Sequence, residues 1–320
     1  MSTSQVLHLS PSPHIHTHRT TSGAMRHVLA ALLPAVGCAL YYFGLPALLT
    51  LVISSAAAML TEWAITRFML KRPSTLGDCS ALLTGVLLAL NLPASLPWWM
   101  TAAGAVFAIA IAKMAFGGLG CNIFNPALTG RVFLLISFPA AMTAWPLPAP
   151  GFGDADGVTG ATLLSQFKES ATDVIPDAAS LLSGNMGGSM GETCAVAIII
   201  GFIYLIATGT IRWHIPAAIV AGMALIDLVA GFPLWIDLLS GGLLLGAVFM
   251  ATDYVTSPMT RSGMLLYGLL IGIITASIRR WGIYPEGMSF AILIMNGATP
   301  LINRYMRPTR FSPRRKEATA

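Results

Sequence analysis

From residue 25 onward the chain is a series of long apolar runs, separated by short breaks of Pro, Gly or charged residues. A helix needs roughly 20 mostly apolar residues to cross the hydrocarbon layer of a membrane. Only helices and closed barrels satisfy their own backbone in lipid, and unbroken runs of this kind select the helix. Crossings are predicted over 25–43, 45–65, 80–92, 98–115, 128–141, 194–208, 215–230, 234–251, 264–278 and 288–302. Several are shorter than a full span, which predicts tilt or helices broken near mid-membrane. Composition agrees, because only 10% of residues are charged where a soluble domain carries about 25%. The 31 glycines and 20 prolines predict close helix contacts and backbone breaks covered by protein or a cavity.

The expected fold is therefore an all-α polytopic membrane protein with about ten transmembrane helices. An internal duplication is hinted at. Asn125-Pro126-Ala127-Leu128-Thr129-Gly130-Arg131 resembles Ser257-Pro258-Met259-Thr260-Arg261. Five crossings per half would make the halves two inverted five-helix repeats with broken helices. Shared helix-start chemistry, a polar cap followed by Pro, explains the match equally well.

Basic residues set the orientation. Arg19, Arg26, Arg67, Lys71, Arg72, Arg212, His214 and the tail from Arg304 to Lys316 all fall on one side of a ten-crossing chain, which places both termini in the cytoplasm. Arg279 and Arg280 fall on the other side and count against this scheme. The implied organisation is a cytoplasmic tail over 1–24, a first membrane half over 25–141, and an outer segment over 142–192. A second membrane half over 193–302 and a basic cytoplasmic tail over 303–320 complete it. The outer segment is net acidic, with Asp154, Asp156, Glu169, Asp173, Asp177 and Glu192 against Lys168. The net charge of +5 follows from this loop asymmetry and implies membrane lipid, not nucleic acid, as the partner. Cys38, Cys79, Cys121 and Cys194 form no C-x-x-C pair, so no metal centre is indicated. His8, His14, His16 and His18 read as part of a disordered tail.

The most informative string is Asp156-Gly157-Val158-Thr159-Gly160-Ala161-Thr162 in the outer segment. One reading is a helix start, with Thr159 as cap and residues 163–168 continuing as an amphipathic helix. The other is a modification site. Thr162 offers a hydroxyl nucleophile, Gly160 and Ala161 leave it accessible, and Asp156 gives a modifying enzyme a charged handle.

At these residues the chain resembles a known family. Asp-x-x-Thr-Gly-Ala-Thr is similar to the signal of the bacterial flavin transferase, which joins FMN through its phosphate to the final threonine. The resemblance extends to Gly117-Gly118-Leu119-Gly120-Cys121-Asn122-Ile123-Phe124-Asn125-Pro126-Ala127, to Phe249-Met250-Ala251-Thr252-Asp253 with Thr256-Ser257-Pro258, and to Phe290–Asn296. Together these resemble the D subunits of Rnf electron-transport complexes, relatives of the B subunit of the sodium-pumping NADH:quinone oxidoreductase.

The resemblance implies FMN on Thr162, presented on the periplasmic face of a bacterial inner membrane, and maturation by the transferase. It implies partners within a multi-subunit complex, among them a second flavoprotein subunit. The complex would link ferredoxin and NAD chemistry to Na⁺ or H⁺ movement, and the chain alone would be no complete enzyme and hold no catalytic residue. The sodium-pump relative also holds a riboflavin in the bilayer, so a second flavin is expected here near Asn122 and Asn125. Asn122, Asn125 and Asp253 are polar groups in apolar surroundings, which marks them as functional candidates, or as groups that satisfy backbone freed at broken helices. Glu62 and Lys113 are candidates for an ion path, or for interfacial side chains with snorkelling heads. The competing function is a channel or carrier of related fold without redox chemistry.

Overall fold

The computed structural model describes residues 20–148, 159–160, 187–282 and 286–307. Its long helices are α1 (Thr21–Ala64), α2 (Ser80–Leu90), α3 (Trp98–Ala110) and α4 (Pro126–Ser137), then α5 (Ala195–Ala207), α6 (His214–Ala230), α7 (Arg261–Trp281) and α8 (Met288–Tyr305). Thr21–Met69, Trp98–Phe116 and Arg261–Trp281 are long and apolar enough to cross a membrane, and α2, α4, α5 and α6 are shorter apolar helices. Many large apolar side chains point outward, among them Leu33, Leu60, Ile136, Ile203, Leu228 and Val229. A water-soluble monomer does not carry such a surface; lipid covers it. Exposed Trp98, Trp213, Trp281 and Tyr305 stand at helix ends, where amphipathic rings meet the headgroup layer.

The predicted crossings over 25–43 and 45–65 meet at Gly44. That residue has φ 56° and ψ −133° and breaks the 44-residue stretch of α1. Unbroken, α1 would run about 66 Å, twice the hydrocarbon thickness. Only glycine adopts this backbone at no steric cost. The first part packs on α5, where a Cβ on Gly201 would strike the Ala31 carbonyl. The second part packs on α2, where a Cβ on Gly85 would lie 2.6 Å from the Ser55 Cα.

Two predicted crossings are not single helices. The run over 128–141 ends at Phe138, because Pro139 cannot continue the helix and opens a short turn, Pro139–Met142. The run over 234–251 is split into Leu234–Leu239, Leu243–Leu245 and a π turn, Gly246–Met250, with Gly241 and Gly242 at φ +67° and +66° between them. The matched helix starts also differ. Asn125 caps α4 with Pro126 as the first helical residue, whereas Thr260 caps α7 and Pro258 lies outside it.

The tightest pairing is α6 against α7. Gly268 and Gly272, one turn apart, face the carbonyls of Ile215 and Ile219, and Gly222 faces that of Leu269. This is the small-residue spacing that lets two membrane helices touch backbone to backbone. Arg279 and Arg280, which contradict the loop-charge count, are not free loop cations. Arg279 pairs with Asp237 at 3.3 Å, and Arg280 pairs with Asp227 at 3.0 Å and with Asp237. The Arg280 guanidinium also lies 3.5 Å over the Phe232 ring. Arg279 is buried and Arg280 partly buried, and a paired arginine is neutralised in place, which gives these two residues a local reason for their position.

Of the Asp156–Thr162 string only Thr159–Gly160 is described, as a strand antiparallel to Trp145–Pro146 with Trp145 opposite Gly160. Gly160 is thus a strand residue, not the first residue of a helix capped by Thr159. Asp156, Ala161 and Thr162 lie outside the described residues. Gly272→Leu is expected to cost about 1–3 kcal/mol through overpacking against Ile219, seen as a lower thermal midpoint of the detergent-solubilised protein, while substitution of lipid-facing Leu228 by Ala leaves the midpoint within experimental scatter.

Candidate functional site

The site forms where two helices stop inside the apolar body. After α3 the chain passes through a turn and a short 3-10 helix, Met114–Phe116, into a loop in which Gly117, Gly118 and Gly120 have φ of 114°, 100° and 93°, and α4 then begins. The Asn125 carboxamide oxygen caps α4, accepting the N–H of Ala127 at 3.0 Å and of Leu128 at 3.4 Å. Its Nδ2 donates across the gap to the carbonyl of Met250, the last residue of the π turn, at 3.3 Å. Asn122 donates to the Phe124 carbonyl at 3.1 Å. Thr252 closes the other break by donating to Val248 at 2.5 Å, and Thr256 donates to Asp253 at 3.3 Å.

These bonds leave a small cavity of about 60 Å³ between the two breaks, lined by Asn122, Asn125, Asp253, Lys113, Ser80 and Phe249. The polar residues singled out in the sequence, Asn122, Asn125 and Asp253, therefore meet at one place. Beside it opens a wider space of about 850 Å³, bordered by His27, Glu62, Arg72, the glycine loop 117–120 and Tyr254. Asn122 and Asn125 each use one amide N–H on a backbone carbonyl and keep a second. The cavity brings a few polar groups together between apolar walls, and the wider space beside it has the size, roughly 300–1,000 Å³, of a cofactor or small-molecule site.

Glu62 and Lys113 do not snorkel. They are 1% and 2% exposed and form an ion pair at 2.5 Å. Lys113 also donates to Ser80 at 2.6 Å, Ser80 to Asp78 at 2.6 Å, and Thr75 to the other Glu62 oxygen at 2.5 Å. The pair ties the end of α1 to the turn after α3, with Lys113 lining the cavity and Glu62 bordering the wider space beside it.

Sequence reasoning missed much of the surrounding polar network. Asn296 sits behind Asn125. With its amide oriented to satisfy all its neighbours it accepts the Asn125 N–H at 3.0 Å and donates to Ile292 at 3.2 Å and to Tyr267 at 2.6 Å. Arg131, on α4, donates to Ser289 at 2.7 Å and Asn91 at 3.4 Å and pairs with Glu286. Asp227 and Asp237 each stand in an Ile-Asp-Leu triplet inside an apolar run. A scan for lone charges in such runs would have found both.

The model of the NQR2, RnfD, RnfE family matches residues 8–312 of the chain. The chain belongs to this family. It is 46% identical over 304 residues, 94% of each chain, to the D subunit of the Na⁺-translocating ferredoxin:NAD⁺ oxidoreductase complex of Acetobacterium woodii. It is 38% identical over 324 residues, 96% of each chain, to the D subunit of the proton-translocating ferredoxin:NAD⁺ oxidoreductase complex of Clostridium ljungdahlii. The D subunit of an ion-translocating oxidoreductase complex of Stutzerimonas stutzeri is 42% identical over 326 residues, covering 90% of this chain and 91% of that one. The asparagines of the cavity therefore belong to a family whose members include subunits of redox-driven ion pumps.

Removing one member of the buried ion pair isolates the other charge. Lys113→Met is expected to destabilise the protein by about 3–5 kcal/mol, and Glu62→Leu combined with Lys113→Met to recover most of it, measured by thermal unfolding in detergent.

Proposed function

We propose that this chain is the D subunit of an ion-translocating oxidoreductase complex of the bacterial inner membrane, linking ferredoxin and NAD redox chemistry to Na⁺ or H⁺ movement. The observation that carries the proposal is the near full-length likeness to subunits of that name, together with the Asp156–Thr162 string, for which a simple channel has no use. The chain acts as one subunit among several, beside a second flavoprotein subunit, and is matured by a flavin transferase.

Thr162 is the attachment point of FMN through a phosphoester, with Asp156, Thr159, Gly160 and Ala161 as the transferase signal. FMN held there supplies one-electron transfer, with its potential set by nearby charge and hydrogen bonds. Pairing of Thr159–Gly160 with Trp145–Pro146 supports this reading, since it ties the signal to the segment that follows α4. The acidic composition of the segment and the basic cytoplasmic loops and tails support a periplasmic position. Ten crossings in two inverted halves remain the arrangement we favour, with the breaks at residues 111–124 and 251–260 as counterparts.

The wider space that opens beside Asn122 and Asn125 has the room for a second, non-covalent flavin such as riboflavin. Its apolar walls would take the ring system, the spare amide N–H groups of Asn122 and Asn125 would orient it, and Asp253 would set the charge nearby. The chain's own residues thus hold and orient the group and keep water from it.

Intact mass and in-gel flavin fluorescence of the purified subunit test the covalent claim. The wild type is expected to carry FMN mass, and Thr162→Val to lose both mass increment and fluorescence. An unmodified wild-type chain from cells that contain the transferase would remove the proposal. Asn125→Ala is expected to lower acid-extractable flavin while leaving the covalent flavin in place, and equal extractable flavin in both proteins would argue against the second site.

A further inference from the structure

Around the turn at residues 187–194 the buried charges do not balance. Arg131, Arg279 and Arg280 face Glu286, Asp237, Asp227 and Glu192, which is three cations against four carboxylates. Most of the arginine donors are already committed, although Nε of Arg279 and of Arg280 has no partner among the described residues. Besides Asp237, Arg279 donates to the carbonyls of Asp237 at 2.7 Å, Ser240 at 3.1 Å and Gly241 at 3.0 Å. Arg131 is taken up by Glu286, Ser289 and Asn91. Among the described residues no cation lies within ion-pair distance of Glu192.

Glu192 Oε2 accepts the Ser189 N–H at 3.4 Å, while its Oε1 is buried and has no hydrogen-bond partner among the described residues. Among the described residues the hydroxyl of Ser189, which is 0% exposed, and Oε1 of Glu286 share that condition, as do Oδ2 of Asp227 and Oδ1 of Asp237, whose carboxylates are already paired with arginine. The Ser189 hydroxyl lies beside the Glu192 carboxylate without completing a hydrogen bond, and Glu286, Arg131 and Arg279 are the charged neighbours of that carboxylate. Gly242 faces the Glu192 carboxylate, and a Cβ there would occupy the place of its Oε1.

An uncompensated carboxylate in such surroundings is costly, and unbonded buried oxygens call for an explanation. One positive charge delivered among them removes both faults. Oxygen donors suit a proton or a hard cation, and the excess is a single charge. We propose that Glu192, with Ser189 and Glu286, forms a binding site for one monovalent cation, either H⁺ or Na⁺. The site stands on charge and geometry alone; the ion-translocating function gives it its use.

The test uses the assembled complex. Dicyclohexylcarbodiimide, which attacks protonated carboxyls in apolar surroundings, is expected to modify Glu192, read by peptide mass spectrometry. If the cation is sodium, NaCl suppresses the adduct severalfold at constant pH relative to choline chloride. If it is a proton, sodium has no effect and raising the pH suppresses it. No adduct at Glu192, or one indifferent to both sodium and pH, overturns the proposal. Glu192→Gln, which removes the charge at equal size, is expected to assemble with full flavin content and to take up severalfold fewer ions per electron in proteoliposomes; an unchanged ratio also overturns it. A wild-type complex that shows the adduct and its protection but no redox-driven uptake would leave the site standing and remove the ion-translocating function.

Discussion

A helix that stops inside a lipid layer exposes N–H and carbonyl groups that water cannot reach, each at a cost of several kcal/mol. The side chain of Asn125 meets that demand at two breaks together. Its oxygen caps α4 and its nitrogen takes the Met250 carbonyl at the end of the facing π turn. The two halves of the chain are joined at this point, and the cavity exists because both helices are allowed to end there. Asn122, Thr252 and Asn296 extend the same service to neighbouring groups.

Much of this was legible from the sequence. Length and continuity of the apolar runs gave the helices, and the break between the first two was placed correctly, because Gly44 followed by Leu45-Pro46 punctuates an otherwise unbroken run. Asn122, Asn125 and Asp253 stood out as polar groups in apolar surroundings, and they do share a cavity. The structure gives the asparagines a backbone-satisfying role there, and that role is compatible with lining a ligand site.

Other features were hidden for physical reasons. Hydropathy averages over a window, so the run over 234–251 read as one helix although Gly241 and Gly242 turn the backbone within it. A charge in a sequence carries no label for its partner. Arg279 and Arg280 thus looked like misplaced loop cations, when Asp227 and Asp237, 42 to 53 residues away, neutralise them. Lys113 looked like an interfacial side chain for the same reason, its partner Glu62 being 51 residues distant.

The contact of α6 with α7 has a mechanical consequence. With Gly268 and Gly272 seated on the carbonyls of Ile215 and Ile219, there is no side-chain cushion between the two helices to compress or reshuffle. They form one stiff body. Whatever shape change accompanies a working cycle must be absorbed at the joints of the chain, and Gly44 and the Gly241–Gly242 pair are joints of that kind.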